Sequence, residues 1–306
     1  MTWEPTLLDL RFGFRMLRKS RSFSTVAILT LALGIGATTA IFSVVNSVLL
    51  RSLPYQDPTR LVWLADENPR EHSAAVLEPD FFAYQRLTRI FESVAAFEPG
   101  DSMTLTGGSE AIRLSVGSVS YSLFQTLGVQ PRLGRLFLPE EDRPKAPHVV
   151  LLTDACWRQQ FAADPAILGR VVSLDAESYQ VVGVLPPQFE FPDNNRADVI
   201  VPAALEDYEI SPTRAVRLVQ VVARLRPGIT TEEAIANLDA VNQRQWATYP
   251  VMFAEILKGS RPLVMPLHER LVGKAQPALL VLFGAILFVL LIACVNIASL
   301  QLARAV

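Results

Sequence analysis

The residues of this 306-residue chain best suited to chemistry are three histidines, two cysteines and a short acidic run. His72, His148 and His268 stand far apart, and no two have the spacing that puts paired ligands on one helix face. Gly117-Ser118-Val119-Ser120 lacks the closing glycine of a nucleophile elbow. Gly273-Lys274 runs straight into Ala275 and an apolar stretch, so it does not make a phosphate-binding loop. Glu140-Glu141-Asp142 has no oxygen-ligand pattern around it and reads as a solvated loop face. His148, just after Pro147, reads as a loop residue, and Trp157 and Trp246 as core. Cys156 and Cys294 lie in segments of opposite character and cannot pair, so the folded part must stand on its own core. These residues point to no catalytic, metal or cofactor site, and the expectation is a protein that is not an enzyme.

The elements around them are dominated by two apolar runs. Ser22 to Leu50 and Ala275 to Ala303 each cover 29 positions without a charge. A bilayer core needs about 20 apolar helical residues, so both runs are long enough to span. The first far exceeds the roughly 7–15 apolar residues of a secretory signal and reads as an uncleaved anchor. Arg11, Arg15, Arg18, Lys19 and Arg21 precede it against only Glu4 and Asp9, which puts the N-terminus in the cytoplasm. Between the runs the chain carries 22 basic and 28 acidic residues, a balance that suggests no nucleic-acid partner.

Residues 3–17 show a stripe of Trp3, Leu7, Leu10, Phe14 and Leu17 beside Arg11, Arg15 and Arg18. This fits a helix lying at the membrane interface with its arginines on anionic lipid, or equally a plain basic flank. Ala32, Gly36 and Ala40 recur every four residues, a spacing that lets another helix approach closely. Asn296, deep in the second run, points the same way, because an amide facing lipid is costly.

Between the runs the pattern is mixed α and β. Strands are expected at Leu61–Leu64, Met103–Thr106, Ala111–Val116, Val149–Leu152, Val171–Leu174, Tyr179–Leu185, Val219–Leu225 and near Pro262–Leu267. Gly107-Gly108 marks a hairpin turn. Pro79-Asp80 opens one helix, Thr153 caps another through Phe161, and Thr230 with Glu233 forms a capping box for a third. Strand–helix–strand pieces on both sides of a central block suggest one α+β unit with a subdomain inserted into it.

At this level several pieces become recognisable. Leu29-Thr30-Leu31-Ala32-Leu33-Gly34-Ile35-Gly36-Ala37-Thr38-Thr39-Ala40 resembles the first membrane helix of the MacB/FtsX-type permeases of ATP-binding-cassette systems. Phe124-Gln125-Thr126-Leu127-Gly128-Val129, Trp157-Arg158-Gln159-Gln160-Phe161, Val181-Val182-Gly183-Val184-Leu185-Pro186 and Ala223-Arg224-Leu225-Arg226-Pro227-Gly228 are similar to parts of that family's periplasmic core domain. Leu291-Ile292-Ala293-Cys294-Val295-Asn296 looks like the start of its FtsX-like membrane domain, and the duplicated orphan branch resembles the chain most.

The resemblance implies an α+β membrane protein with two transmembrane helices flanking a periplasmic domain, a porter-like base with an inserted subdomain. The expected layout is a cytoplasmic basic helix at 1–21, a first span at 22–50 and a MacB-like core domain at 51–276. The inserted subdomain falls near 118–212, the second span at 277–303, and residues 304–306 end a C-terminally truncated chain. It further implies a permease subunit that binds no cofactor itself, ATP being bound by a separate cytoplasmic ABC ATPase. Other implied partners are a second permease copy or duplicated half, a periplasmic adaptor and membrane lipid. The rival expectation from another class is a two-span sensor with a periplasmic ligand-binding domain.

Overall fold

The structure, a computed structural model, describes residues 21–45, 53–68, 73–107, 110–193, 196–208, 216–273 and 276–305. The chain divides into two compact units, Met1–Arg51 with Val272–Val306, and Ser52–Leu271.

In the first unit, helix α1 (Arg21–Val45) packs against the last helix of the chain, Gln276–Ala305. Among the described residues, Gly34, Thr38, Ile41 and Val45 are the half-buried positions of α1, and Leu279, Phe283, Ile286 and Leu290 those of the last helix. Both sets follow the spacing of one helical face. Gly34 meets the Leu290 side chain so closely that a Cβ there would overlap it. Large apolar side chains on the outer faces stay bare, with Leu33 73%, Val281 74% and Phe288 68% exposed. Among the described residues no helix is long and apolar enough to cross a membrane, so the described parts of these helices do not by themselves establish a span.

The second unit is built on one sheet of eleven strands. In chain order its elements are β1 (Leu61–Asn68), β2 (Ser73–Leu77), α2 (Glu78–Gln85), β3 (Phe91–Thr106), β4 (Ile112–Val119) and α3 (Leu123–Leu127). Then come β5 (Leu133–Gly134), β6 (Val149–Leu152), α4 (Asp154–Phe161), β7 (Val171–Leu174), β8 (Glu177–Val184) and β9 (Val199–Pro202). The chain closes through β10 (Leu218–Leu225), α5 (Thr231–Trp246), α6 (Val251–Leu257), β11 (Arg261–Pro266) and α7 (Leu267–Val272), before the last helix, α8. The path through the sheet is β11-β1-β2-β10-β3-β4-β9-β6-β8-β5, with β7 pairing β3 and β8.

Strand β3 lies mid-sheet and joins its two halves. Its first part, Phe91–Phe97, pairs with β10; its second part pairs with β4 and, at Leu105 and Thr106, with β7. A register shift separates Glu98 from Asp101, and Gly100 inside it takes φ +87°, a conformation glycine adopts without penalty.

The two faces near β1 and β10 hold separate cores. Val62, Leu64, Val221 and Ala223 face α2 and α5, meeting Phe81, Tyr84, Ala234 and Leu238. Leu61, Trp63, Ala65 and Val222 face the other way, onto Leu123, Phe124 and Leu127 of α3. A third cluster lies under α4, where Trp157 and Cys156 pack on β6, β8 and β9. Period-two alternation of strand side chains puts neighbouring residues on opposite faces, which is why one strand serves two cores.

Local signals explain the helix ends. The Thr153 hydroxyl accepts from Cys156 N, and Thr230 with Glu233 makes a complete capping box. Asp164 caps the 3-10 turn Pro165–Ile167. The strands expected at Val171–Leu174 and Tyr179–Leu185 form as the antiparallel pair β7 and β8, and the hairpin expected at Gly107 joins β3 to β4, Leu105 opposite Ile112. Gly108 and residues 3–17 lie outside the described residues.

Candidate functional site

The second unit begins with a strap, residues 53–60, that is fixed to the sheet by one buried cation. Arg224 of β10 is only 3% exposed and, among the described residues, has no carboxylate partner. Its Nε and Nη2 donate to Thr126 O at 3.0 and 2.8 Å, Nη2 also to Gln56 O at 2.5 Å, and Nη1 to Asp57 O at 3.2 Å. Thr126 lies in the last turn of α3, whose carbonyls have no partner within the helix and attract a cation. Gln56 N donates back to Leu127 O at 3.0 Å. Gly128 caps α3 at φ +71°, and a Cβ there would overlap Gln56. Arg60 adds an ion pair to Glu92 at 2.6 Å and a bond to Leu225 O at 3.0 Å.

The other end of the unit is held on the same face. Leu267 is fully buried, and the Arg270 guanidinium lies 4.5 Å from the Trp63 ring centroid. Trp63 in turn donates from Nε1 to Gln220 Oε1 at 3.0 Å. Tyr55 near the first end and Leu267 near the last share one core cluster with Leu123, Phe124 and Leu127. The geometry is a junction where both chain ends and α3 meet on the β1–β10 face.

The opposite face carries buried acids. Tyr84 Oη lies 2.8 Å from Asp66 Oδ2 and 2.8 Å from Asn242 Oδ1, while Asn242 Nδ2 lies 2.6 Å from Asp66 Oδ1. Asp80, wholly buried, accepts from Tyr249 Oη at 2.5 Å and Trp246 Nε1 at 3.0 Å. Burial, reinforced by the charge of Asp80, pushes the Asp66 carboxyl up to about 7; burial pushes Asp80 up to about 6 against those two donors.

Among the described residues no group of three His, Cys, Asp or Glu could hold a metal. His148 stacks on Tyr179 at 4.9 Å and its Nδ1 is 3.3 Å from Glu177, half-exposed, while His268 sits half-buried on α7. His72 lies outside the described residues. Cys156 is buried and its thiol is pushed up to about 12 by desolvation, which leaves it inert. The acidic loop is more structural than its sequence suggests. Glu141 grips Arg135 at 2.5 Å, and Asp142 accepts from Tyr121 N and Ala204 N at 2.9 and 2.8 Å. An open groove of about 760 Å³ runs past that loop, lined by Phe82, Tyr121, Asp142, Arg143 and Lys145.

Ala32, Gly36 and Ala40 are exposed on α1, and nothing lies within 4 Å of a Cβ built at Gly36. The contact with α8 is made instead by the neighbouring Gly34. The side chain of Asn296 and all of Arg11, Arg15 and Arg18 lie outside the described residues. The junction around Arg224 and the acids around Asp66 escape a reading by sequence because each needs partners 98 to 176 residues away, Tyr84 alone standing nearer, 18 residues from Asp66. A partial signal is that each follows an apolar residue on its own strand face, Leu64 before Asp66 and Val222 before Arg224.

The MacB-like periplasmic core domain matches residues 24–241. No curated protein matches the chain at a significant level. Among solved structures, the periplasmic region of MacB from Actinobacillus actinomycetemcomitans is 16% identical, with TM-score 0.49, covering 69% of this chain and 90% of that one. A domain of a protein described as a permease from Porphyromonas gingivalis is 14% identical with TM-score 0.50, over 69% and 92%. The extracellular domain of the ABC-type transporter YknZ from Gram-positive bacteria is 15% identical with TM-score 0.44, over 67% and 99%. With more than two thirds of its length matched by one family, its mixed α+β fold shared and the expected pieces in order, the chain belongs to the MacB-like periplasmic core domain family of ABC-type transporter permeases.

Proposed function

We propose that the chain is a permease subunit of an ABC-type efflux or mechanotransmission system. Its second unit works outside the cytoplasm and moves in response to a separate cytoplasmic ATPase, which binds the ATP. The chain itself carries out no chemical step. Helices α1 and α8 are the two membrane spans, with the N-terminus inside; the 29-residue uncharged runs and the bare apolar outer faces support this. Ala32, Gly36 and Ala40 are left open for a further membrane helix, from a second permease copy or duplicated half.

The observation that carries the relay is the junction. Both ends of the second unit are set into one core with α3: Arg224 ties the first end to α3 and β10, and Leu267 with the Arg270–Trp63 contact holds the last. A displacement of either end is therefore imposed on the sheet rather than absorbed by a loose linker.

The test places the full chain with its ATPase in lipid nanodiscs, with spin labels at the exposed Glu110 and Gln243. Binding of a slowly hydrolysed ATP analogue is expected to change the distance between them, and Arg224→Met to shrink that change. An unchanged distance in the wild type overturns the relay. Topology is checked separately: a cysteine at Glu110 is expected to react in intact cells with a membrane-impermeant reagent, and protection would place the unit inside.

A further inference from the structure

The contacts among Asp66, Tyr84 and Asn242 form a closed ring of three, and a ring of three hydrogen bonds needs three hydrogens. Tyr84 supplies one from Oη, yet Oη faces two acceptor oxygens, Asp66 Oδ2 and Asn242 Oδ1. Asn242 supplies one more, from Nδ2 to Asp66 Oδ1. If Asp66 is ionised, one O···O contact of 2.8 Å holds no hydrogen. Turning the Asn242 amide over does not help: Nδ2 then donates to Tyr84, and two bare oxygens meet at Asp66 Oδ1 instead.

We propose that Asp66 is a carboxylic acid rather than a carboxylate in the native fold, and that its proton closes a ring fastening α2 and α5 to β1. The order is then Asp66 Oδ2–H to Tyr84 Oη, Tyr84 Oη–H to Asn242 Oδ1, and Asn242 Nδ2–H to Asp66 Oδ1. Each partner gives one hydrogen to the ring and receives one, so all three contacts hold a hydrogen. The surroundings favour the neutral form. Asp66 is 7% exposed, Tyr84 1% and Asn242 0%. From α2 it is faced by Tyr84 and by the carboxyl of Asp80; from α5 by Asn242. Tyr249 lies within electrostatic reach, and the strand neighbours opposite are Ala75 of β2 and Pro262 of β11. Among the described residues, none of the groups acting on Asp66 is a cation.

The ring makes the external unit sensitive to pH. An aspartate in the unfolded chain releases its proton near 3.8, whereas burial and Asp80 hold the folded one up to about 7. Between these values the folded state binds a proton that the unfolded state does not, so stability falls as pH rises and levels off above about 7. Above that point a charge stands beside Asp80, the ring has a gap, and α2 and α5 are less firmly tied to the sheet.

Asparagine at position 66 reproduces the neutral acid, with a donor at the Oδ2 place and an acceptor at Oδ1. The experiment compares the full-length wild type with Asp66→Asn in detergent, by infrared spectroscopy at mildly acidic pH and by denaturant unfolding across the acidic-to-neutral range. One protonated-carboxyl C=O band is expected to vanish in Asp66→Asn, and its pH-dependent loss of unfolding midpoint to be smaller than in the wild type. An identical carboxyl band in both proteins overturns the proposal. So does failure of Asp66→Asn to fold, because that outcome means the anion is required. A second variant, Tyr84→Phe, is expected to shift the same band, since its hydrogen-bond acceptor is gone; an unshifted band also overturns the ring.

Discussion

The two faces of the sheet at β1 and β10 bury opposite charges and handle them differently. On one face Arg224 is surrounded by backbone carbonyls of α3 and the strap. On the other, Asp66 and Asp80 are surrounded by hydroxyl, amide and indole donors under α2 and α5. The difference follows from proton chemistry. A guanidinium cannot shed its proton in water-accessible pH ranges, so burial obliges the fold to supply acceptors. A carboxylate can take up a proton and become neutral, so burial can be met by titration instead. The Arg224 face is consequently insensitive to pH and depends on backbone geometry, whereas the acidic face depends on pH and on side-chain hydrogens.

That contrast can be broken most directly at the cation. Arg224→Met keeps much of the side-chain volume but takes the guanidinium donors away from Thr126 O and Gln56 O, and is expected to cost about 3 kcal/mol in denaturant unfolding, equally at acidic and neutral pH. Trp246→Phe removes a donor to ionised Asp80, a bond worth about 2 kcal/mol. Its cost is expected above pH 6 and to fade below, because Asp80, held at about 6, then carries a proton. A pH-independent cost would place Asp80 outside the titrating face. Asp142→Asn sharpens the comparison with Asp66. Both Asp142 oxygens accept from backbone N–H groups, so the amide NH₂ would face a donor, at a cost of about 2 kcal/mol where Asp66→Asn is tolerated. Gly128→Ala forces a side chain into φ +71° against Gln56 and is expected to cost about 1–2 kcal/mol, read from the thermal midpoint. Thr230→Ala removes one half of the α5 capping box, at about 1 kcal/mol with no effect on the Arg224 junction.

How much of this was legible in the sequence depended on range. Thr153, Thr230 and Glu233 announce helix starts because a cap is a contact over three residues. Val149–Leu152 and the β7–β8 pair are framed by turn residues and form where expected. The strand expected at Leu61–Leu64 continues to Asn68, because Asp66 and Asn68 look like a strand end yet are both buried. The first half of β3 carries Val94-Ala95-Ala96-Phe97, buried on both faces, so no alternation marks it. β9, α3 and α6 are four, five and seven residues long, too short for periodicity to show. The junction could not be read at all: Arg224 was visible only as part of a family-like stretch, while its partners Thr126 and Gln56 are 98 and 168 residues away.

Strand β3 has a mechanical consequence. It is one continuous backbone from the β10 side of the sheet at Phe91 to the β7 pairing at Thr106, so the two halves of the sheet share a single beam. Along that beam, ladder pairing with β4 is interrupted between Glu98 and Asp101, where Gly100 has no side chain to wedge it. A load along the strand would bend the beam there first, making this interruption the hinge about which the two halves of the sheet flex.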